Sequence, residues 1–92
     1  MVVGLLTLEI HLPYAHSLKD KRQVLRKLKE RLRRFNVAVA ELDHQEVWQR
    51  ATVGVVSLSN DGAHLAQHLE AVSAESEKIL GGDLADSHIE YL

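Results

Sequence analysis

The stretch "VVGLLTLEIHLPYAHSLKDKRQVLRKLKERLRRFNVAVAELD", residues 2–43, changes its hydrophobic period twice. Leu6, Leu8, Ile10 and Leu12 alternate with Thr7, Glu9 and His11, the period of two that a half-buried strand requires. Val3 and Leu5 extend the second face as apolar residues. Pro13 ends the run, and "PYAH" is the connection. From Ser17 the period becomes helical. Leu18, Leu25, Leu28, Leu32 and Phe35 recur at helical spacing, and Val24 widens their stripe. Ser17 with Asp20 three residues on fits a capping box, Asp standing in for the usual Glu. The spacing predicts a helix to about Phe35, roughly five turns. Asn36 suits the helix end, and "NVAVAELD" returns to strand with almost no linker.

The rest of the chain repeats this alternation. "DHQE" is polar and reads as a hairpin tip, and "VWQRATVGVVSLS" (47–59) as the third strand, with Gly54 at a position of close approach. "SND" caps a second helix whose buried stripe is Leu65, Leu69, Val72, Ile79 and Leu80. Gly81 and Gly82 stop it, and "LADSHIEYL" is a final strand with Ile89 and Tyr91 on one face. The order β-α-β-β-α-β predicts a single α+β domain, 1–92, on the ferredoxin-like split βαβ plan. Right-handed crossovers place both helices on one face of a four-stranded antiparallel sheet. The other face stays open, and Val3 and Leu5 make it partly apolar. That predicts a homodimer through the sheet face or edge.

The first helix carries most of the positive charge. Nine of the eleven Lys and Arg residues lie between Ser17 and Phe35, with only Asp20 and Glu30 against them, although the chain's net charge is −2. The remainder is strongly acidic, an asymmetry that points to a polyanionic partner. Lys19, Arg22, Arg26, Lys29 and Arg33 follow one another at spacings of three and four residues and form one basic stripe. Lys27, Arg31 and Arg34 broaden it, Glu30 can pair with Arg26 or Arg34, and Glu70, Glu75 and Glu77 on the second helix can absorb part of the charge. Lys19, Lys21 and Arg22 oppose the helix dipole, where stability alone favours acids. Helix N-termini bind anions, so these three residues predict a phosphate-sized pocket.

Other chemistries find little support. The chain has no Cys, which removes disulfides and thiolate metal sites and fits a reducing cytoplasm. No basic n-region precedes the first apolar run, which Glu9 and His11 interrupt, so neither a signal peptide nor a membrane span is expected. His64 and His68 stand at i, i+4 on the second helix but lack a third ligand at a known spacing, so no metal is expected. The predicted first and third strands hold no aromatic residue in "VVGLLTLEI" or "RATVGVVSLS", which argues against base stacking on the sheet in the manner of an RRM. Acylphosphatases share the fold with a Gly-rich phosphate loop after the first strand, whereas the loop here, "LPYAHS", has no Gly. Trp48, the single Trp, is expected to cover the end of the core; the alternative is a partner anchor or stacking platform. Glu41 is expected to pair with Arg50 across the hairpin; the alternative is that it orients a base from the helix N-terminus.

"SLKDKR" at the start of the helix, "FNVAVAEL" at the next junction and "WQRATVGV" leading the third strand resemble the YlxP-like bacterial family, a domain family of unknown function. The resemblance spans essentially the whole chain and is most specific in "SLKDKR". It marks Ser17, Leu18, Lys19, Lys21, Arg22, Glu41 and Trp48. It implies a ferredoxin-like fold and a cytoplasmic bacterial protein. Members are commonly encoded near translation and ribosome-maturation genes, which implies RNA or the ribosome as partner. No catalytic role carries over.

The resulting expectation is a non-catalytic RNA- or ribosome-associated module without cofactor. Lys19, Lys21, Arg22, Arg26, Lys29 and Arg33 contact phosphates, and Ser17, Glu41 and Trp48 support the site. The alternative is a module that docks an acidic protein through the same helix or dimerises through its sheet. A third reading is an enzyme acting on a small phosphorylated substrate near Ser17 to Arg22.

Overall fold

The structure is a computed structural model that describes residues 1–92. Strand β1 (Val2–His11) leads through a short connection into helix α1 (Leu18–Leu32), which closes with a 3-10 turn over Arg33–Phe35. Strands β2 (Ala38–Asp43) and β3 (Arg50–Ser59) follow. Helix α2 (Gly62–Leu80) and a 3-10 turn at Gly81–Asp83 then lead into β4 (Leu84–Tyr91). The four strands form one antiparallel sheet in the order β2-β3-β1-β4, the ferredoxin-like arrangement expected from the element order. No helix is long and apolar enough to cross a membrane.

The capping chemistry read from the sequence is present at each helix end. Ser17 Oγ accepts the Asp20 N–H at 3.1 Å, and the Asp20 carboxylate accepts the His16 N–H at 2.9 Å. Asn36 ends the first helical segment in the left-handed region, φ 56°. Asp61 Oδ1 accepts the N–H groups of Ala63 and His64, and Gly81 closes α2 at φ 54°.

The even residues of β1 (Leu6, Leu8 and Ile10) are buried under the helices with Ala51, Val53 and Val55 of β3. Leu25, Leu28 and Leu32 of α1 and Val72 and Leu80 of α2 complete that cluster. In α2 the buried stripe includes Ser76, which the sequence reading omitted, while Ile79 is only partly buried. Ser76 lies inside at no polar cost because its Oγ donates to the Val72 carbonyl at 2.8 Å.

Two boundaries differ from expectation. β3 starts at Arg50, not Val47. Residues 44–49 form a loop instead, entered by His44 at φ 64° and tightened by a Val47 N–H to His44 carbonyl bond of 3.0 Å. β2 starts at Ala38 because Asn36 breaks the chain direction first.

The open sheet face divides into two halves. Leu5 and Val3 of β1 lie beside Val56 and Leu58 of β3, and Ala38 and Ala40 of β2 continue the apolar surface. Leu42 folds across it. A side chain at Gly54 would meet Leu42 Cδ1 at 2.7 Å, so the missing Cβ is what lets Leu42 lie there. Toward β4 the same face carries Glu9, Asp86, His88 and Glu90.

Candidate functional site

The basic stripe of α1 separates into two groups of different character. Lys21 is among the most deeply buried side chains, with 1 % of its surface exposed. Its ammonium donates to Glu41 Oε2 at 2.9 Å and to the carbonyls of His44 at 2.8 Å, Gln45 at 3.2 Å and Arg50 at 3.4 Å. An ammonium has three donors and no acceptors, so this cage consumes its hydrogen-bonding capacity. The expectation that Lys21 contacts phosphate is therefore corrected: its charge is spent inside the protein, fastening α1 to both ends of the β2–β3 loop.

Glu41 is corrected with it. It faces Val53 across the β2–β3 ladder, while Arg50 lies opposite His11, so the expected Glu41–Arg50 pair does not form. The signal for the observed pair was in the sequence. Leu18, Lys21, Leu25, Leu28, Leu32 and Phe35 are spaced 3, 4, 3, 4 and 3, which puts Lys21 on the apolar stripe. Glu41 shares the inward parity of Val39 on β2 and of Val37 just before it. Two opposite charges on inward faces of neighbouring elements must meet or stay unpaired, and pairing is far cheaper.

The second group faces outward. Arg22, Arg26, Lys29 and Arg33 line a groove of about 370 Å³ together with Leu25, Glu30 and Glu41. A smaller hollow of about 110 Å³ continues it past Lys29 and Arg33 to Val37 and Val39, between α1 and β2. From Arg22 to Arg33 the helix rises about 16 Å. No hydrogen bond or ion pair within the chain engages any of these four cations. Glu30 and Glu41 are the only acids in the lining, and Glu41 already serves Lys21. The groove thus presents four cations against one unpaired carboxylate, Glu30. The anticipated absorption of charge by α2 is limited to one exposed pair, Arg31 to Glu75 at 3.3 Å.

The helix N-terminus does not form the expected phosphate-sized pocket. Ser17 and Asp20 occupy it as caps, Lys21 points inward, and no concavity is lined by Ser17 or Lys19. Lys19 is exposed in the first turn but stands outside the groove. The concentration of cations lies further along the helix.

Trp48 does not cover the core. It is 50 % exposed on the 44–49 loop. That loop is held by Lys21 at His44 and Gln45 and by Gln49 at its other end: Gln49 Nε2 donates to the carbonyls of Pro13 at 3.2 Å and Ala15 at 3.4 Å, and the Gln49 carbonyl accepts the Leu12 N–H at 2.9 Å. Between Pro13 and Ala15, Tyr14 donates to Asp83 Oδ2 at 2.7 Å. That hydrogen bond, with partial burial and the carboxylate's charge, pushes the phenol up to about 12. His64 and His68 stack at 6.4 Å between ring centroids, and no third His, Cys, Asp or Glu joins them in a metal-sized group.

Comparisons with known proteins place the chain in a family. A solved structure of a putative antibiotic biosynthesis monooxygenase from Bordetella bronchiseptica matches 100 % of this chain and 96 % of its own at TM-score 0.55 and 17 % identity. A de novo designed protein with ferredoxin fold matches 100 % of this chain and 83 % of its own at TM-score 0.58 and 6 % identity. At these identities the likeness concerns the fold alone. The uncharacterised protein YlxP of Bacillus subtilis (strain 168) is 32 % identical over 74 residues, which cover 79 % of this chain and 80 % of that protein. The family described as "Protein of unknown function (DUF503)" matches residues 3–89. With residues 3–89 of its 92 matched, this chain is a member of the DUF503 family.

Proposed function

We propose that the protein binds RNA through its phosphate backbone, along the groove between α1 and β2. The observation that carries this reading is the row of Arg22, Arg26, Lys29 and Arg33 without an ionic partner in the chain. A purely structural surface tolerates neutralisation, and acids at these positions would add helix-stabilising pairs. Four cations spread over about 16 Å suit a linear polyanion better than a compact one. Lys19 adds charge at one end. The groove presents no donor set fixed on a base edge, so the contact positions RNA without reading its sequence.

The test is fluorescence anisotropy with a structured ribosomal RNA fragment across a salt series, beside an Arg22→Glu, Arg26→Glu variant whose fold is checked by circular dichroism. Four phosphate contacts give a slope of about −3 in log affinity against log salt. The variant should lose most binding. Equal binding by the variant, or no binding by the native protein at low salt, rules the reading out.

A second reading rests on the apolar half of the open sheet face. Leu5, Ala38, Ala40, Leu42 and Val56 line one hollow, and Leu58 beside it is 65 % exposed. Matching apolar halves around a two-fold axis would cover this surface in a second copy. The acids Glu9, Asp86 and Glu90 on the same face disfavour an acidic partner there. Light scattering of native protein and Leu58→Glu tests it. A dimer mass that drops to monomer in the variant supports it, and a monomer throughout removes it.

A further inference from the structure

The β2–β3 loop is short, pinned and tipped with an indole. Lys21 holds the carbonyls of His44 and Gln45 at one end and that of Arg50 at the other. Gln49 is tied by side chain and backbone to the β1–α1 connection. Between these anchors Val47 and Trp48 project, 42 % and 50 % exposed. Trp48 enters into no hydrogen bond and no aromatic pair within the chain. The half of this large ring that stays in water is carried on a fixed backbone, and it is pre-organised for contact from outside.

The loop also adjoins the basic groove. Glu41 lines the groove and holds Lys21; Lys21 holds the loop, and Arg22, the next residue, is the groove's first cation. The loop that carries the indole is thus tied, through Lys21 and Glu41, to the Arg22 end of the row of charge. The sheet face, which other proteins of this topology use for stacking, has Leu5, Gly54 and Val56 at its centre and no Phe, Tyr or Trp; the His88 ring stands on the edge strand β4.

We infer that Trp48 is a stacking platform for an unpaired nucleobase of single-stranded RNA whose phosphates lie along Arg22, Arg26, Lys29 and Arg33. This rests on the groove's reading as a phosphate track and adds the strandedness of the ligand. Only unpaired bases expose a ring face to a side chain, so single strands bind in preference to duplexes. Lys21 is a positioning residue, acting on the base only through the backbone it holds.

Trp48 is the only tryptophan in the chain, so its emission reports contact at one known site. The experiment titrates the full chain at low salt with labelled dodecauridylate and, separately, with an RNA duplex of equal length. Anisotropy of the label and tryptophan emission are read together. Expected is single-strand binding with quenched emission and weaker duplex binding with emission unchanged. Trp48→Ala should weaken single-strand binding roughly 5- to 150-fold, the range for loss of one base–aromatic stack, and leave duplex binding as it was. Trp48→Phe should recover most of the loss. Single-strand binding without quenching, or an unchanged affinity in Trp48→Ala, overturns the inference while leaving the phosphate track in place. Failure of both ligands to bind overturns the track and the platform together. Circular dichroism and thermal melting of each variant separate lost contact from lost fold.

Discussion

Lys21 and Arg22 are neighbours in the chain and opposites in the molecule. One ammonium is caged by a carboxylate and three carbonyls; the adjacent guanidinium faces solvent with nothing to pair with. Both stand in the same cationic run, so charge density alone assigns them one role. The helical period assigns them two. About 100° of rotation separates them, which turns one toward Leu25 and Leu28 and the other toward the groove. Positive charge on this helix is therefore of two kinds, one internal to the fold and one available to a ligand.

The sharpest way to break that distinction is to remove the inner charge. Lys21→Met leaves Glu41 and three carbonyls without their donor and should cost about 3 kcal/mol in denaturant unfolding. That is the low end for a broken buried pair, because Glu41 keeps 20 % of its side chain exposed. Against the roughly 5–15 kcal/mol that small domains possess, the loss is large. Adding Glu41→Leu should recover much of it, since an apolar pair of similar volume needs no partner. An unfolding midpoint unchanged in Lys21→Met would show that the cage contributes nothing.

The outer charges should behave in reverse. Arg26→Glu with Arg33→Glu is expected to weaken RNA binding at least tenfold by anisotropy, while unfolding shifts by no more than about 0.5 kcal/mol. A large stability loss without a change in binding would merge the two kinds of charge again. Ser17→Ala tests the cap that starts the helix between them, and should cost about 1 kcal/mol in the same unfolding assay.

The smallest effect concerns the opposite side of the β1–α1 connection. The folded state raises the Tyr14 phenol from 10.0 to about 12, so it favours the protonated form. Its contribution is complete below the unfolded value of 10.0 and is lost as pH rises through about 12. A tyrosinate absorbance titration should show one phenol ionising near the top of that window, absent in Tyr14→Phe. Ionisation of Tyr14 near 10 would remove the Asp83 contact from the account.

Much of this was legible in the sequence. Alternation at Leu6, Leu8 and Ile10, the stripe Leu25, Leu28 and Leu32, and the stops at Asn36 and Gly81 fix the element order, because each records a local constraint. Arg22, Arg26, Lys29 and Arg33 were legible as one face for the same reason. What escaped was non-local. Val47 and Trp48 have strand-forming side chains, but hydrogen bonds from Lys21 and Gln49 hold that segment as a loop, and no window on the segment alone contains those partners. The Lys21–Glu41 pair joins positions 20 residues apart, and it becomes visible only when the phase of the helix and the parity of the strand are read together.

The cage also protects the sheet's border. β2 is an edge strand, six residues long, whose outer backbone groups have no neighbouring strand. Such an edge invites edge-on addition of another chain, the first step of aggregation. Here the ladder bulges between Glu41 and Asp43, and Glu41 carries a charge that points inward. A foreign strand docking in register would have to straighten the bulge and pull the carboxylate from its lysine. The pair that costs most to break inside the molecule is thus also a barrier to uncontrolled assembly, and variants that lose it should precipitate at concentrations the native chain tolerates.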